Sequence, residues 1–299
     1  MQLHSIGDPT LSSLPFPIPA VPISVWAAAS HVAPGLVAPF FRRMMLTPRR
    51  DARPAPRLEL PDVDERIDLG EGLVAWRWGS GDPDVPVVLL VHGFEGHRGQ
   101  FGAMIDALLE RGYAAVALDV PAHGESAGDE LTAVKFIAAL ERVLDHLKSV
   151  HAVIGHSMGA AMALHTLATR LGGKRGDVPR AAMISAPSAL GRELRRFAKA
   201  VGLSERGTRA FIRSVEEHVG RPADDFDVRH IASEIDLPVL LIHDQNDRQV
   251  PVLESARSAH MLPTAELVIT QGLGHNRLLA DPKVVRTVME FVDAQDTLV

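Results

Sequence analysis

The chain has 299 residues, 46% of them hydrophobic and 23% charged, which suits one large soluble α/β domain with insertions or two modest domains. Its net charge of −6 is spread without a basic stripe, which excludes a nucleic-acid-binding surface, and its lack of cysteine excludes disulfides, cysteine nucleophiles and cysteine-ligated metals. The 14 histidines are scattered, with no His-Glu-x-x-His pair or comparable ligand spacing, so neither a metal nor a cofactor is expected.

Residues 1–57 read as an apolar arm ending in a Pro/Arg-rich joint, "TPRRDARPAPR", that is expected to be extended. A secretory signal wants a basic start, and residues 1–25 contain no Lys or Arg. A membrane span wants about 20 uninterrupted apolar residues, whereas Pro19, Pro22, Pro34 and Pro39 divide this run. The piece between Pro22 and Pro34 is expected to be a short helix packed on the main domain or on a partner subunit, with a membrane-surface element as the second reading.

Beyond the joint, "RIDLGEGLVAWRWG" alternates and turns at Gly70-Glu71-Gly72, the pattern of a hairpin. "PVVLLVH", residues 86–92, is a continuous valine-rich run, the mark of a strand buried on both faces. Alternating units follow: helix 100–110, strand 114–119, helix 131–148, strand 152–155, helix 158–171 and strand 181–185. Strand 238–243, helix 253–261, strand 266–270 and helix 283–294 complete the pattern, which predicts a mainly parallel sheet covered on both faces. Residues 187–236 interrupt it with two helical stretches, "LGRELRRFAKAVG" and "SERGTRAFIRSVEEHVG", and a short third element. An insertion of this size between core strands is a candidate cap, with residues 58–186 and 237–299 as the core. Its apolar residues at helical spacing, Leu194, Phe197, Val201 and Phe211, suit either an acyl pocket or ordinary packing.

Ligands of open α/β sheets bind beyond the carboxyl ends of the strands, so the polar residues just after each strand carry the chemistry. "GHSMG" places Ser157 between two glycines at a strand-to-helix turn, where a nucleophile must stand exposed and a flanking side chain would clash. A serine hydroxyl needs a base, and His275 in the Gly-rich loop after the last strand is the choice. His156 adjoins the serine but points elsewhere on such a turn, His260 sits within a helix, and His92, His123 and His230 belong to other turns or to the insertion. The base needs a carboxylate to fix its tautomer: Asp247, just ahead of Val250-Pro251, is preferred and Asp244 is the alternative. Asp119, beside Pro121 and Gly124, reads as a turn-shaping carboxylate. An oxyanion demands main-chain N–H donors, expected from Met158 and from Phe94 after the turn at Gly93.

The set "VHGF", "LDVPAHGES", "IGHSMG", "DRQVP" and "GLGH" closely resembles the α/β-hydrolase superfamily, in particular its capped esterase- and lipase-like serine hydrolases. The resemblance spans about residues 68–297. It implies an α/β-hydrolase fold with a mainly parallel eight-stranded sheet and a small helical cap. It also implies Ser157 as nucleophile, Asp247 as acid, His275 as base, Phe94 and Met158 as oxyanion donors, and 187–236 as the cap. The implied activity is hydrolysis of a small acyl ester through an acyl-enzyme. A thioesterase, acyltransferase, lactonase or C–C hydrolase on the same triad is the alternative, as is a receptor that does not turn over. Serine at the nucleophile position separates the chain from the haloalkane dehalogenases and epoxide hydrolases of this fold, which use aspartate there. The sequence departs from the family in "FEGHRGQF", in Asp244 where glycine is frequent, and in the arm. The chain is expected in the cytoplasm, with self-association and a membrane contact through the arm as further readings of its partners.

Overall fold

Residues 22–49, 60–171 and 180–294 are described by the computed structural model. The expected hairpin comprises β1 (Glu65–Asp68) and β2 (Val74–Trp78). Its turn is made by Gly70, Glu71 and Gly72, which all take left-handed backbone (φ 81°, 52° and 74°). The remaining strands are β3 (Val87–Val91), β4 (Ala114–Asp119), β5 (Ala152–His156), β6 (Arg180–Ile184), β7 (Val239–Asp244) and β8 (Ala265–Thr270). They form one eight-stranded sheet in the order β1-β2-β4-β3-β5-β6-β7-β8, antiparallel at β1–β2 and β2–β4 and parallel elsewhere.

The central strands are buried on both faces, and period-two alternation divides their side chains between two apolar layers. Leu89, Val91, Val116, Leu118, Val153 and Leu241 face helices α4 (Ala133–Leu147) and α5 (Met158–Leu171) through Phe136, Leu140, Leu164 and Leu167. Val88, Leu90, Ala117, Ile154 and Ile242 face α3 (Gly102–Leu109) and α9 (Pro282–Asp293) through Met104, Ile105, Val288 and Met289. The parallel strands β3, β5, β6, β7 and β8 therefore all present their carboxyl ends at one edge.

Between β6 and β7 the chain forms α6 (Leu190–Ala200) and α7 (Glu205–Val219), and then short 3-10 turns from Ala223 to Glu234. Leu194, Phe197, Val201 and Phe211 are buried in a third apolar cluster. They pack against the arm, so ordinary packing accounts for them and the acyl-pocket reading does not. The arm holds two helices where one was expected: α1 (Ile23–Val32) and α2 (Pro34–Leu46). Pro34 occupies the first turn of α2, where its missing N–H is harmless, and Pro39 lies inside the helix. Removal of the Pro39 N–H leaves the Gly35 carbonyl in an exposed residue, where water can satisfy it. Burial of Val37, Ala38 and Phe41 against α6 and α7 outweighs that loss. Ser30 is fully buried and bonds to Ser204 through both its hydroxyl (3.1 Å) and the Ser204 N–H (2.9 Å). The arm thus packs on the inserted helices, a variant of the expected packing on the main domain. Residues 1–21 and most of the joint, 50–59, lie outside the described residues. No helix among the described residues is long and apolar enough to cross a membrane. The remaining helix, α8 (Leu253–Met261), packs beside β7 and β8.

Candidate active site

Ser157 is the single residue between β5 and α5 and takes left-handed backbone at φ 54°, a strained geometry for a side chain that has a Cβ. The flanking glycines are required by space. A Cβ at Gly155 would lie 2.5 Å from Ala160 Cα, and one at Gly159 would overlap the His92 carbonyl. The Ser157 N–H donates to Ile184 O (2.8 Å), which ties the turn to the neighbouring strand. The turn after β3 closes in from the other side: a Cβ at Gly93 would stand 2.8 Å from Ser157 Cβ and 3.3 Å from Met158 N. Met158 opens α5, so its N–H is among the first-turn amides that no helical carbonyl accepts.

Phe94 follows, half-buried, its ring edge-on to His123 at 5.7 Å between centroids. Next comes Glu95, also left-handed (φ 55°), whose N–H donates to His123 Nε2 (2.8 Å). The buried Glu95 carboxylate takes a two-pronged ion pair from Arg49 at the end of the arm, 2.8 Å on each side. His92 beneath it donates from Nδ1 to Gly93 O (2.8 Å) and accepts from Val120 N–H (3.3 Å). Burial, with His123 nearby, holds its pKa well below the ordinary histidine value, so it stays neutral and shapes the turn.

The loops after β7 and β8 meet in a buried pair. His275 Nδ1 donates to Asp247 Oδ2 at 2.7 Å. Asp247 Oδ1 accepts the N–H groups of Gln249 (2.8 Å) and Val250 (2.9 Å), and Oδ2 lies 3.3 Å from His243 Nε2. Burial alone would raise the Asp247 carboxyl; the bonds from His243, His275 and the Val250 N–H outweigh it and hold the group well below the usual carboxylate range. Asp244 does not reach His275. It accepts the Thr270 hydroxyl (2.8 Å) and the N–H groups of Asn246 (2.9 Å) and Leu273 (3.0 Å), so it splices the two loops together. Asp119 binds Trp76 Nε1 (2.9 Å), Arg98 (2.7 Å) and the Glu125 N–H (3.1 Å) in a turn of its own. A Cβ at Gly124 would overlap its carboxyl, which fits a turn-shaping role.

Two histidines do more than the sequence suggested. His156 points away from the solvent side of the turn and donates from Nε2 to the main-chain O of His275 (2.9 Å), while its Nδ1 accepts from Gln100 Nε2 (3.1 Å). Burial, with His275 close by, pushes its pKa down to about 3, so it acts as a neutral strut under the His275 loop. His243, at the end of β7, is fully buried between Asp247 and Ser255, whose hydroxyl is 2.7 Å from Nδ1. The only sequence signal for either is a histidine adjoining a strand end.

On the side of the inserted helices, Glu254 at the start of α8 is 2% exposed and gathers Ser188, Arg192 (3.2 Å) and Arg257 (2.6 Å). Glu193 pairs with Arg196, and burial pushes its carboxyl up to about 7 against that pairing. Among the described residues no group of three or more His, Asp or Glu is arranged to hold a metal ion.

The edge therefore carries a hydroxyl on a strained turn, a buried histidine–carboxylate pair and a Gly93 turn pressed against the serine. A family model described as "alpha/beta hydrolase fold" matches residues 86–211. Protein ABHD8 from Mus musculus is 27% identical over 287 residues, which cover 82% of this chain and 61% of that protein, so the chain spans about three fifths of this relative's length. Pimeloyl-[acyl-carrier protein] methyl ester esterase from Xanthomonas axonopodis pv. citri (strain 306) is 27% identical over 245 residues, 69% of this chain and 94% of that protein. Among solved structures, Est1E from Butyrivibrio proteoclasticus with bound ferulic acid superposes with a TM-score of 0.58 at 21% identity, covering 77% of this chain and 100% of that one. Sheet order and these likenesses agree on one architecture: the chain has the α/β-hydrolase fold.

Proposed function

We propose that the chain is a serine hydrolase that cleaves a small carboxylic ester through Ser157, His275 and Asp247. The observation that carries the proposal is the His275 Nδ1–Asp247 Oδ2 bond of 2.7 Å, at the sheet edge where Ser157 stands on its strained turn. A histidine that donates from Nδ1 to a carboxylate keeps its Nε2 lone pair as a base, and the same carboxylate stabilises the imidazolium once it forms. The names of the relatives, among them an ester esterase, support ester hydrolysis as the reaction class.

In the proposed cycle Ser157 Oγ attacks the ester carbonyl and gives its proton to His275 Nε2. The tetrahedral oxyanion rests on the N–H groups of Phe94 and Met158, with Gly93 pressed beneath both. His275 then returns the proton to the leaving alcohol and the acyl group stays on Ser157. Water, deprotonated by the same nitrogen, releases the acid and regenerates the serine. Residues 187–236 are the proposed cap over this edge, set on a core of 58–186 and 237–299; the Ser188–Glu254–Arg192 contacts support a firm join between the two. Stopped-flow hydrolysis of a p-nitrophenyl ester tests the reading. A burst of one p-nitrophenolate per chain, lost in Ser157→Ala, is expected; steady release without a burst, unchanged in Ser157→Ala, sinks it.

A further inference from the structure

The arm buries one face and leaves the other bare. Of the exposed large apolar residues among those described, five lie on α1 and α2: Ile23, Val25, Val32, Leu36 and Phe40. Helical spacing places Val25 and Val32 on one face of α1 and Leu36, Phe40 and Arg43 on one face of α2, and Phe40 stacks on Trp26 of α1 (5.5 Å between centroids), which links the exposed residues of the two helices in one stripe. Val32 is 76% and Leu36 83% exposed, and no side chain of the inserted helices covers them. The opposite face of the arm is committed: Phe41 of α2 is fully buried, and a Cβ at Gly207 of α7 would overlap Ser30 of α1, so both arm helices are seated with the stripe outward.

The charge around the stripe identifies its occupant. Residues 22–49 contain Arg42, Arg43 and Arg49 and no Asp or Glu. Helices α6 and α7, on which they pack, contain seven Arg or Lys against four Glu. Arm and inserted helices together carry ten basic and four acidic side chains; Glu95, Asp227 and Glu254, just outside them, pair with Arg49, Arg192 and Arg196, so an excess of +3 remains on a chain whose total is −6. Arg43 stands exposed on the stripe itself, and Arg206 borders it by donating to His31 O (3.3 Å) at the end of α1. A second copy docked face to face would set two positive layers together. An anionic lipid surface supplies both an apolar phase for Val32, Leu36 and Phe40 and negative headgroups for the arginines.

We propose that α1 and α2 are an interfacial membrane-docking element that lays this stripe into an anionic lipid surface. Binding of this kind needs no hydrolysis, so it stands apart from the proposed triad: the Ser157→Ala chain is expected to bind as the parent does.

The experiment is co-sedimentation of the full chain with vesicles of phosphatidylcholine alone and of phosphatidylcholine with phosphatidylglycerol. Strong partitioning to the anionic vesicles, weakened by added salt, is expected. Leu36→Ser with Phe40→Ser should lower that partitioning by about tenfold or more, since each loses a buried apolar side chain. Arg43→Glu should lower it on the order of tenfold on anionic vesicles alone. Leu36 is 83% exposed and Arg43 is exposed, so circular dichroism and thermal melting of Leu36→Ser alone and of Arg43→Glu should match the parent, and Leu36→Ser alone should still weaken partitioning; Phe40 also stacks on Trp26, so the double variant is read beside that single one. No partitioning to either vesicle, or equal partitioning to both, overturns the proposal. So does a dimer in sedimentation that Leu36→Ser converts to monomer, because a second copy would then be the occupant.

Discussion

Gly93→Ala is a small change with a large expected effect. Gly93 is not among the glycines with left-handed backbone, so alanine strains no dihedral there, and only space is at issue. Its Cβ would stand 2.8 Å from Ser157 Cβ and 3.0 Å from His156 O. Ordinary carbon–carbon contact is about 3.5–4.0 Å, so the β3 loop or the serine turn must yield by about 1 Å. The loop has little slack, held by the Arg49–Glu95 ion pair and the Glu95 N–H bond to His123. A displacement of that size costs about 10²-fold in rate, comparable to the 10²–10³ for loss of one oxyanion donor. The expected result is a kcat for p-nitrophenyl ester hydrolysis lowered by about 10²-fold with KM little changed, alongside an overpacking cost of about 1–3 kcal/mol in a denaturant melt. Gly81→Ala, where a Cβ meets nothing within 4 Å, is the control and should leave both quantities alone. A Gly93→Ala enzyme within about threefold of parental kcat and with parental stability would refute the proposed oxyanion geometry, because the expected loss is about 10²-fold.

Three further outcomes follow from the same contacts. Asp247→Asn should lower kcat by about 10⁴-fold, because an amide facing Nδ1 favours the His275 tautomer whose Nε2 already carries a proton. Asp244→Asn should chiefly lower stability, by about 1–3 kcal/mol for the unsatisfied groups it leaves; the reverse ranking of the two in kcat would move the acid to Asp244. Glu193 has a folded pKa of about 7, above its ordinary value of 4.5, so its protonated form favours the fold. Its contribution is complete below the unfolded value and fades as pH rises through about 7, so stability should decline across that window. Melting curves against pH should show the decline in the parent and its absence in Glu193→Gln; parallel curves would show that the carboxyl is not raised.

The sequence carried the sheet and the serine turn for a local reason: a buried run such as "VVLLV" and the "GHSMG" pentapeptide hold their physical constraints within a few residues. The boundaries of β4, α5 and α8 match those read from the sequence, since each ends at a local signal. The second arm helix was hidden because Pro39 inside it argues against a helix locally, and what sustains it, the burial of Phe41 on α7, is tertiary. His156 and His243 were invisible as supports for a similar reason. Their partners, the His275 carbonyl and the Asp247 carboxylate, lie on other loops. The choice of Asp247 over Asp244 as the partner of His275 rested on place in the loop, and the 2.7 Å contact gives it a physical basis.

The central claim is that Ser157 is a nucleophile poised by its neighbours, and a fluorophosphonate tests it most directly. Native chain treated with the probe, digested and mapped by mass spectrometry should carry one phosphonyl group, on Ser157. The labelling should disappear in unfolded chain and slow sharply in Asp247→Asn. A native chain that stays unlabelled, or that takes the probe on another residue with Ser157 untouched, would contradict the account.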